Sequence, residues 1–191
     1  TVDLTNLQRQ ILYATADIGT PKVEAAARRL AAINPEVRIE RIPRRVAAED
    51  LSSLVAAADV VLDCCDNFAT RHAVNAACVR ARKPLVSGAA IRFDGQVAVF
   101  DARDARSPCY HCLFGDGDEL EETRCATMGV FAPLVGIVGA TQAAEALKLI
   151  AGVGTSLAGR LLLLDALAME WRSLRVPRDP VCPVCGTGTA P

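Results

Sequence analysis

Four cysteines form two Cys-x-x-C pairs that lie far apart in the sequence. The first pair is Cys109 and Cys112 in PCYHC, and the second is Cys182 and Cys185 in CPVCG, about seventy residues later. Four thiolates are the ligand set of a closed, tetrahedral structural zinc site. A redox-active Cys-x-x-C opens a helix after a strand in a thioredoxin-like unit, and neither pair is placed in that way. We predict a structural Zn²⁺ site made of both pairs, with His111 as an alternative ligand.

A carboxylate and an amide, Asp66 and Asn67, directly follow the apolar run VVLDCC. Ligands of an open parallel sheet bind beyond the carboxyl ends of its strands. This position, beside the amino terminus of a helix, suits phosphate and Mg²⁺. The alternative is that Asp66 only caps the helix beginning near Ala69, because Asp is favoured at cap positions.

Polar and cationic side chains near the amino end favour the ligand-binding interpretation. Residues 5–10, TNLQRQ, contain Asn, Gln and Arg, and Lys22 lies in the first turn of a predicted helix. Arg binds phosphate oxygens in a bidentate manner, and Lys supplies a point charge for the same anion. A helix dipole disfavours Lys at an amino terminus, so Lys22 would be explained by an anion nearby. These residues predict an anion site.

The glycine-rich loop that binds phosphate in many such folds does not occur in this sequence. Gly115, Gly152 and Gly186 each begin a Gly-x-Gly, but none continues as G-x-G-x-x-G between a strand and a helix. A dinucleotide-dependent oxidoreductase, which the same fold class can host, is therefore supported by topology alone.

Helix and strand patterns alternate around these residues. Thr20 and Pro21 predict the cap and first position of a helix that ends at Asn34, and residues 37–43 alternate as a strand does. Helix, strand, helix and strand then follow over residues 47–58, 59–65, 69–82 and 83–90. We predict an α/β fold with a doubly wound, mostly parallel, Rossmann-like sheet. The later runs GQVAVF and RLLLLDAL lack a direct crossover helix and predict antiparallel additions.

An uncharged stretch of twenty residues, from Cys125 to Ala144, is long enough to cross a bilayer. Gly, Thr, Pro133 and Gln142 lower its hydrophobicity, and Pro133 suits the start of a helix that runs to about Ala151. We interpret this stretch as a helix rich in small residues that packs in a core or in a subunit interface.

Composition limits the class of protein. The chain has 191 residues, 51% of them hydrophobic, which is enough for one domain with a real core. A net charge of −1 gives no reason to expect a nucleic-acid or membrane-surface partner. Eight cysteines in a long, core-rich chain without an export signal indicate a cytoplasmic protein with reduced or metal-bound thiols.

The remaining cysteines differ in context. Cys64, Cys65 and Cys78 lie in apolar periodic segments and are interpreted as core residues. Cys125 follows the charged segment ELEETR, and the neighbouring Arg124 would favour its thiolate. The alternative for Cys125 is a loop cysteine without a role.

Taken in order, these segments resemble the MoeB/ThiF/HesA family, whose members are relatives of the ubiquitin-activating enzymes. The resemblance is carried by TVDLTNLQRQ, GTPKVEAA, LDCCDNFATR, PCYHCLF, CATMGVFAPLVGIVGATQAAEALK and CPVCG. It implies an adenylyltransferase that uses ATP and Mg²⁺ to adenylate the carboxyl-terminal glycine of a ubiquitin-like sulfur-carrier protein. The pathway implied is molybdenum cofactor or thiamine biosynthesis, with a MoaD-like or ThiS-like carrier.

The resemblance also implies roles for individual residues. The ATP site would be lined by Thr5, Asn6, Leu7, Gln8 and Arg9. Arg9 and Lys22 would hold phosphate oxygens, and Asp66 would serve Mg²⁺ or the reacting centre with Asn67 beside it. Cys125 matches the position at which members form a sulfur linkage to the carrier. The two cysteine pairs match the zinc site of the family.

Further expectations concern assembly and domains. The family implies a homodimer, with the helix after Pro133 in the contact, and a sulfurtransferase partner or a fused rhodanese domain. We expect residues 1–191 to form a single adenylation domain, with residues 186–191 as the start of a linker. In the family, a glycine-rich βαβ portion precedes the segment that begins at Thr1, so we expect roughly sixty more residues before it. The alternative function is a non-catalytic, zinc-containing scaffold that binds a ubiquitin-like partner.

Overall fold

The computed structural model describes residues 1–115 and 129–186. The chain divides into two compact units, Thr1–Ala47 and Ala48–Pro191. The first unit contains two short 3-10 helices, Leu4–Asn6 and Thr15–Asp17, followed by helix α1, Lys22–Ile33. The backbone N–H of Val2 donates to Thr20 O at 2.8 Å, and that of Gly19 donates to Val2 O at 2.9 Å. These bonds fix the amino-terminal segment against the turn that leads into α1.

The predicted helix α1 is confirmed, but its predicted cap is wrong. Pro21 occupies the cap position, and no side chain caps the helix. Thr20 instead belongs to the preceding turn, where its N–H donates to Asp17 O and its carbonyl accepts from Val2. Its backbone is therefore fixed by the turn and by the amino-terminal segment.

The strand predicted over residues 37–43 is also wrong. These residues have no strand conformation, and they are not part of the described five-stranded sheet. The half-buried side chains in this segment are Ile39 and Ile42, which are three residues apart instead of two. The apparent alternation therefore does not correspond to one buried face.

The second unit is built on a five-stranded sheet whose strands follow one another in chain order. The strands are β1 Val61–Asp63, β2 Pro84–Ile91, β3 Asp94–Asp101, β4 Arg160–Asp165 and β5 Glu170–Arg175. β1 and β2 pair in parallel, and the other three pairings are antiparallel. The α/β class and the antiparallel extension are confirmed, while parallel pairing among the described strands is limited to β1 and β2.

Helices cover both faces of this sheet. They are α2 Ala48–Ala57, α3 Phe68–Ala81, the short α4 Tyr110–Phe114 and α5 Ala132–Ala151. Leu85 of β2 packs in the cluster that contains α2 and α3, whereas the next residue, Val86, packs in the cluster that contains α5. Because successive strand residues point to opposite faces, β2 is buried on both sides and its sequence reads as a continuous apolar run.

Residues 132–144 of the uncharged stretch lie in helix α5, and one face of this helix is packed against the sheet. The interpretation of the stretch as a packed helix is therefore confirmed. Leu134, Val138 and Gln142 are among its buried residues, and the helix contacts β2 and β3. By length and composition alone, α5 is the one helix of the described residues that could cross a bilayer. Its opposite face is exposed and includes Leu147 and Ile150.

Candidate active site and metal centre

The two Cys-x-x-C pairs come together in the fold. The Sγ atoms of Cys109, Cys112, Cys182 and Cys185 all lie within 4.8 Å of one another. The Cys109–Cys112, Cys109–Cys182 and Cys112–Cys185 distances are 3.9, 3.7 and 3.4 Å. Tetrahedral Zn²⁺ with bonds of about 2.3 Å to sulfur requires sulfur atoms about 3.8 Å apart. The cluster therefore fits the predicted zinc ion, and His111 is not a member of it.

Helix α3 positions the first cysteine pair. The Asn75 side chain is buried in α3, and its Oδ1 accepts a hydrogen bond from the N–H of Tyr110 at 2.9 Å. Asn75 Nδ2 donates to Cys109 Sγ at 3.6 Å, and the N–H of Cys109 donates to Cys112 Sγ at 3.5 Å. Burial raises the pKa of the Cys109 thiol to about 11. Metal binding there must therefore displace a proton at neutral pH, as is usual for thiolate ligands.

A tight turn positions the second pair. The N–H of Gly186 donates to Cys182 O at 2.8 Å, and a Cβ atom at Gly186 would lie 2.5 Å from the same oxygen. The Arg178 side chain donates to the carbonyl of Cys185. Glycine is required directly after Cys185 because a side chain would open this turn.

The end of β1 presents Asp66 at the surface. Asn67, not Asp66, caps helix α3, and its Oδ1 accepts a hydrogen bond from the N–H of Thr70 at 2.9 Å. The capping interpretation of Asp66 is therefore wrong. Asp66 is exposed, and its Oδ1 accepts a weak bond from Asn67 Nδ2 at 3.4 Å. A carboxylate placed there can bind a cation or a substrate at the carboxyl end of the strand.

A buried polar cluster lies behind Asp66, and sequence reasoning missed it. It contains Asp63 at the end of β1, Arg71 in α3, Ser87 in β2 and Gln142 in α5, all of them buried. Arg71 Nη1 and Ser87 Oγ each donate to Asp63 Oδ2 at 2.9 Å. The signals in the sequence were a carboxylate inside the apolar run VVLDCC and an Arg within a predicted helix that also contains several Ala and Val residues.

The amino-terminal candidates form a compact local structure in the first unit. Asp3 Oδ1 accepts hydrogen bonds from the N–H and Oγ1 of Thr5 at 2.8 and 2.6 Å, and Asn6 Oδ1 accepts from the N–H of Asp3 at 3.2 Å. The bonds from Thr5 lower the pKa of Asp3, and the charge of Lys22 lowers it further. Arg9 Nη1 donates to Thr5 O at 3.1 Å.

The other predicted site residues differ in placement. Leu7 is the carboxyl-terminal cap of the first 3-10 helix, and Gln8 is exposed. Lys22 is the first residue of α1, as predicted. Cys125 lies outside the described residues. Cys78 is buried as predicted, while Cys64 is exposed and Cys65 is half-buried.

Comparison with known proteins decides the family. Residues 1–184 match the model of the ThiF family. The chain belongs to this family. It is 44% identical over 189 residues to molybdopterin-synthase adenylyltransferase of Escherichia coli (strain K12), covering 97% of this chain and 74% of that relative. It is 46% identical over 189 residues to sulfur carrier protein ThiS adenylyltransferase of the same organism, covering 99% of this chain and 74% of that relative.

Solved structures share the fold of this ThiF-family chain. The crystal structure of E. coli MccB with ATP superimposes with a TM-score of 0.83 at 26% identity, covering 97% of this chain. The chain spans 57% of the length of that MccB chain. The resemblance predicted from the sequence is therefore confirmed at the level of both family and fold.

Proposed function

We propose that this protein adenylates the carboxyl-terminal glycine of a ubiquitin-like sulfur carrier, using ATP and Mg²⁺ and releasing pyrophosphate. The observation that carries the proposal is the exposed Asp66 at the carboxyl end of β1, in a ThiF-family chain whose relatives are named adenylyltransferases. Two relatives named for different pathways have nearly equal identity, 44% and 46%. We therefore propose molybdenum cofactor or thiamine biosynthesis as the pathway.

The proposed reaction is a displacement at the α-phosphorus of ATP. A carboxylate oxygen of the terminal glycine forms a bond to the α-phosphorus, and the bond to the bridging oxygen of the β-phosphate breaks. Pyrophosphate leaves with that electron pair, and no side chain has to transfer a proton. Such a step depends on positioning and on neutralisation of the phosphate charges.

The proposal assigns these functions to individual residues. Arg9 and Lys22 would bind phosphate oxygens, within an ATP site lined by Thr5, Asn6, Leu7 and Gln8. Asp66 would hold Mg²⁺, because an exposed carboxylate is a ligand that this hard cation prefers. Asn67, as the cap of α3, would keep Asp66 at the start of that helix. When bound, Mg²⁺ would neutralise part of the phosphate charge.

The zinc centre has a structural role in this proposal. All four ligands are cysteines, so a tetrahedral zinc ion would have no open position for substrate. Cys125 remains a prediction for a sulfur linkage to the carrier. We also propose a cytoplasmic location, a homodimer that uses the exposed face of α5, and a sulfurtransferase partner or fused rhodanese domain.

The test is ATP–pyrophosphate exchange by the full-length gene product with each type of carrier supplied separately. We expect carrier-dependent exchange that falls by about 100-fold or more in Asp66→Asn, the range seen when a charge-stabilising group is removed. Asp59→Asn is the matched control, because Asp59 is an exposed aspartate shortly before the other end of β1. Equal exchange by Asp66→Asn and wild type would exclude the role of Asp66. Carrier binding without exchange would favour the scaffold alternative.

A further inference from the structure

The loop that carries Asp66 rests on a buried ion pair. Asp63 is 2% exposed and Arg71 is 7% exposed, and their closest side-chain atoms, Asp63 Oδ2 and Arg71 Nη1, are 2.9 Å apart. Ser87 Oγ donates to the same carboxylate oxygen, and Arg71 Nη1 also contacts Ser87 Oγ at 3.2 Å. The pair thus joins the end of β1 to α3 and β2.

This ion pair fixes the backbone of the residue immediately before Asp66. The N–H of Cys65 donates to Asp63 Oδ1 at 2.9 Å, and Arg71 Nη2 donates to the carbonyl of Cys65. The same Arg71 nitrogen donates to Gly88 O at 3.2 Å. Both backbone polar groups of Cys65 are therefore held by side chains of one buried pair.

A second support comes from α5, on the other face of the sheet. Gln142 Nε2 donates to Asp63 O at 2.9 Å and to Val86 O at 3.3 Å. Cys64 Sγ donates to Gln142 Oε1 at 3.7 Å. A Cβ atom on Gly88 would lie 2.3 Å from the Gln142 side chain, so a larger residue at position 88 would displace the Gln142 amide from this position.

Stability alone does not account for this arrangement. Replacement of a buried ion pair by packed apolar residues is often neutral or stabilising, because burial of the charges costs about as much as their attraction returns. Here the hydrogen bonds converge on residues 63–65, which directly precede Asp66. A displacement of about 1 Å at a reacting group can lower a rate about 100-fold, so such rigidity has a use at a catalytic position.

We propose that Arg71 and Gln142 are positioning residues that fix Asp66 for the reaction, one from each face of the sheet. The inference rests on the proposed function, because Asp66 is the group being positioned. Neither residue touches substrate in this account. Each acts through the backbone of residues 63–65.

The test uses Arg71→Lys and Gln142→Ala in the full-length protein. Arg71→Lys retains the positive charge opposite Asp63 but loses the guanidinium N–H groups that donate to the carbonyls of Cys65 and Gly88. We expect each variant to lower carrier-dependent ATP–pyrophosphate exchange by about 10- to 100-fold at saturating ATP. Added to Asp66→Asn, Arg71→Lys should cause no further loss, because its effect passes through Asp66.

A structural readout accompanies the kinetic one. Hydrogen exchange of the Cys65 amide should be at least about tenfold faster in Arg71→Lys than in wild type, while the Phe100 amide in β3 remains protected. Glu145→Gln is the matched control, because Glu145 is also buried on α5 but accepts from the N–H of Leu157 instead of supporting the loop. We expect both the rate of carrier-dependent ATP–pyrophosphate exchange and the rate of hydrogen exchange at the Cys65 amide in Glu145→Gln to stay within about twofold of wild type.

The outcomes separate the two proposals. Faster hydrogen exchange at the Cys65 amide with an unchanged rate of ATP–pyrophosphate exchange would overturn the positioning role. The role would also be overturned if Arg71→Lys lowered the rate of ATP–pyrophosphate exchange by the same factor in the wild-type and Asp66→Asn backgrounds. Absence of exchange activity in wild type, with a protected Cys65 amide, would overturn the proposed function while leaving the structural support itself established.

Discussion

At the end of β1, two neighbouring residues have different tasks. Asn67 caps α3 through Thr70, whereas Asp66 is exposed and makes no cap. We expect Asn67→Ala to lower the free energy of unfolding by about 1 kcal/mol through loss of the cap. Asp66→Ala should change it by less than about 0.5 kcal/mol, as is usual for a surface site. Urea denaturation measures both values, and a larger loss in Asp66→Ala would make Asp66 a structural residue.

Cys78 provides a test of burial at the residue scale. Its burial raises the pKa of the thiol to about 12, above the value of about 8.5 for an unfolded chain. Between these values the unfolded chain releases a proton that the folded chain keeps, so stability falls as the pH rises from about 9 to 12. In Cys78→Ala the free energy of unfolding should fall less steeply over this pH range, because the variant lacks this one proton difference between the folded and unfolded chains. Urea denaturation at several pH values measures the slope. The same pH dependence in both proteins would contradict this account.

At the scale of elements, the four-cysteine cluster joins α4 to the turn at residues 182–186. Cys112 and Cys185 approach to 3.4 Å, although about seventy residues separate them in sequence. We expect one zinc ion per chain, and we expect Cys185→Ser to lose it with a decrease of about 4 kcal/mol or more in the free energy of unfolding. Metal analysis and urea denaturation measure these changes.

Cys64→Ser is the control for that variant. Cys64 is exposed and does not belong to the cysteine cluster. It should retain zinc and most of its stability. The metal assignment would be contradicted if wild-type protein purified without chelator contained no zinc and if added zinc left its free energy of unfolding unchanged.

The elements also show which parts of the fold could be predicted. The two cysteine pairs, helix α5 and strands β1 to β4 have strong local signals, and each appears where the sequence places it. Strand β5 was missed because all its residues are exposed, so EWRSLR lacks an apolar alternation. The Asp63–Arg71 pair was missed because the two residues belong to a strand and a helix that meet only in the tertiary structure. The periodicity of a single helix does not predict such a contact.

For the whole molecule, the exposed face of α5 is the surface on which the proposed homodimer depends. Leu147 and Ile150 are 65% and 63% exposed, which leaves apolar area uncovered in the single chain. We expect Leu147→Glu to convert a dimer of the full-length protein into a monomer in sedimentation equilibrium. Leu174→Glu on β5 is the control, since Leu174 is also an exposed leucine. A monomeric wild-type protein, or a dimer unaffected by Leu147→Glu, would contradict this interface.

The central claim is that the full-length protein cleaves ATP between the α- and β-phosphates and transfers AMP to a carrier carboxylate. The most direct measurement is ³¹P NMR of a reaction that contains ATP, Mg²⁺ and a carrier ending in glycine, with Asp66→Asn run in parallel. We predict pyrophosphate and a carrier-bound adenylate in wild type, and a large decrease in both in Asp66→Asn. ADP and inorganic phosphate as the products, or no reaction with either carrier type, would contradict the account.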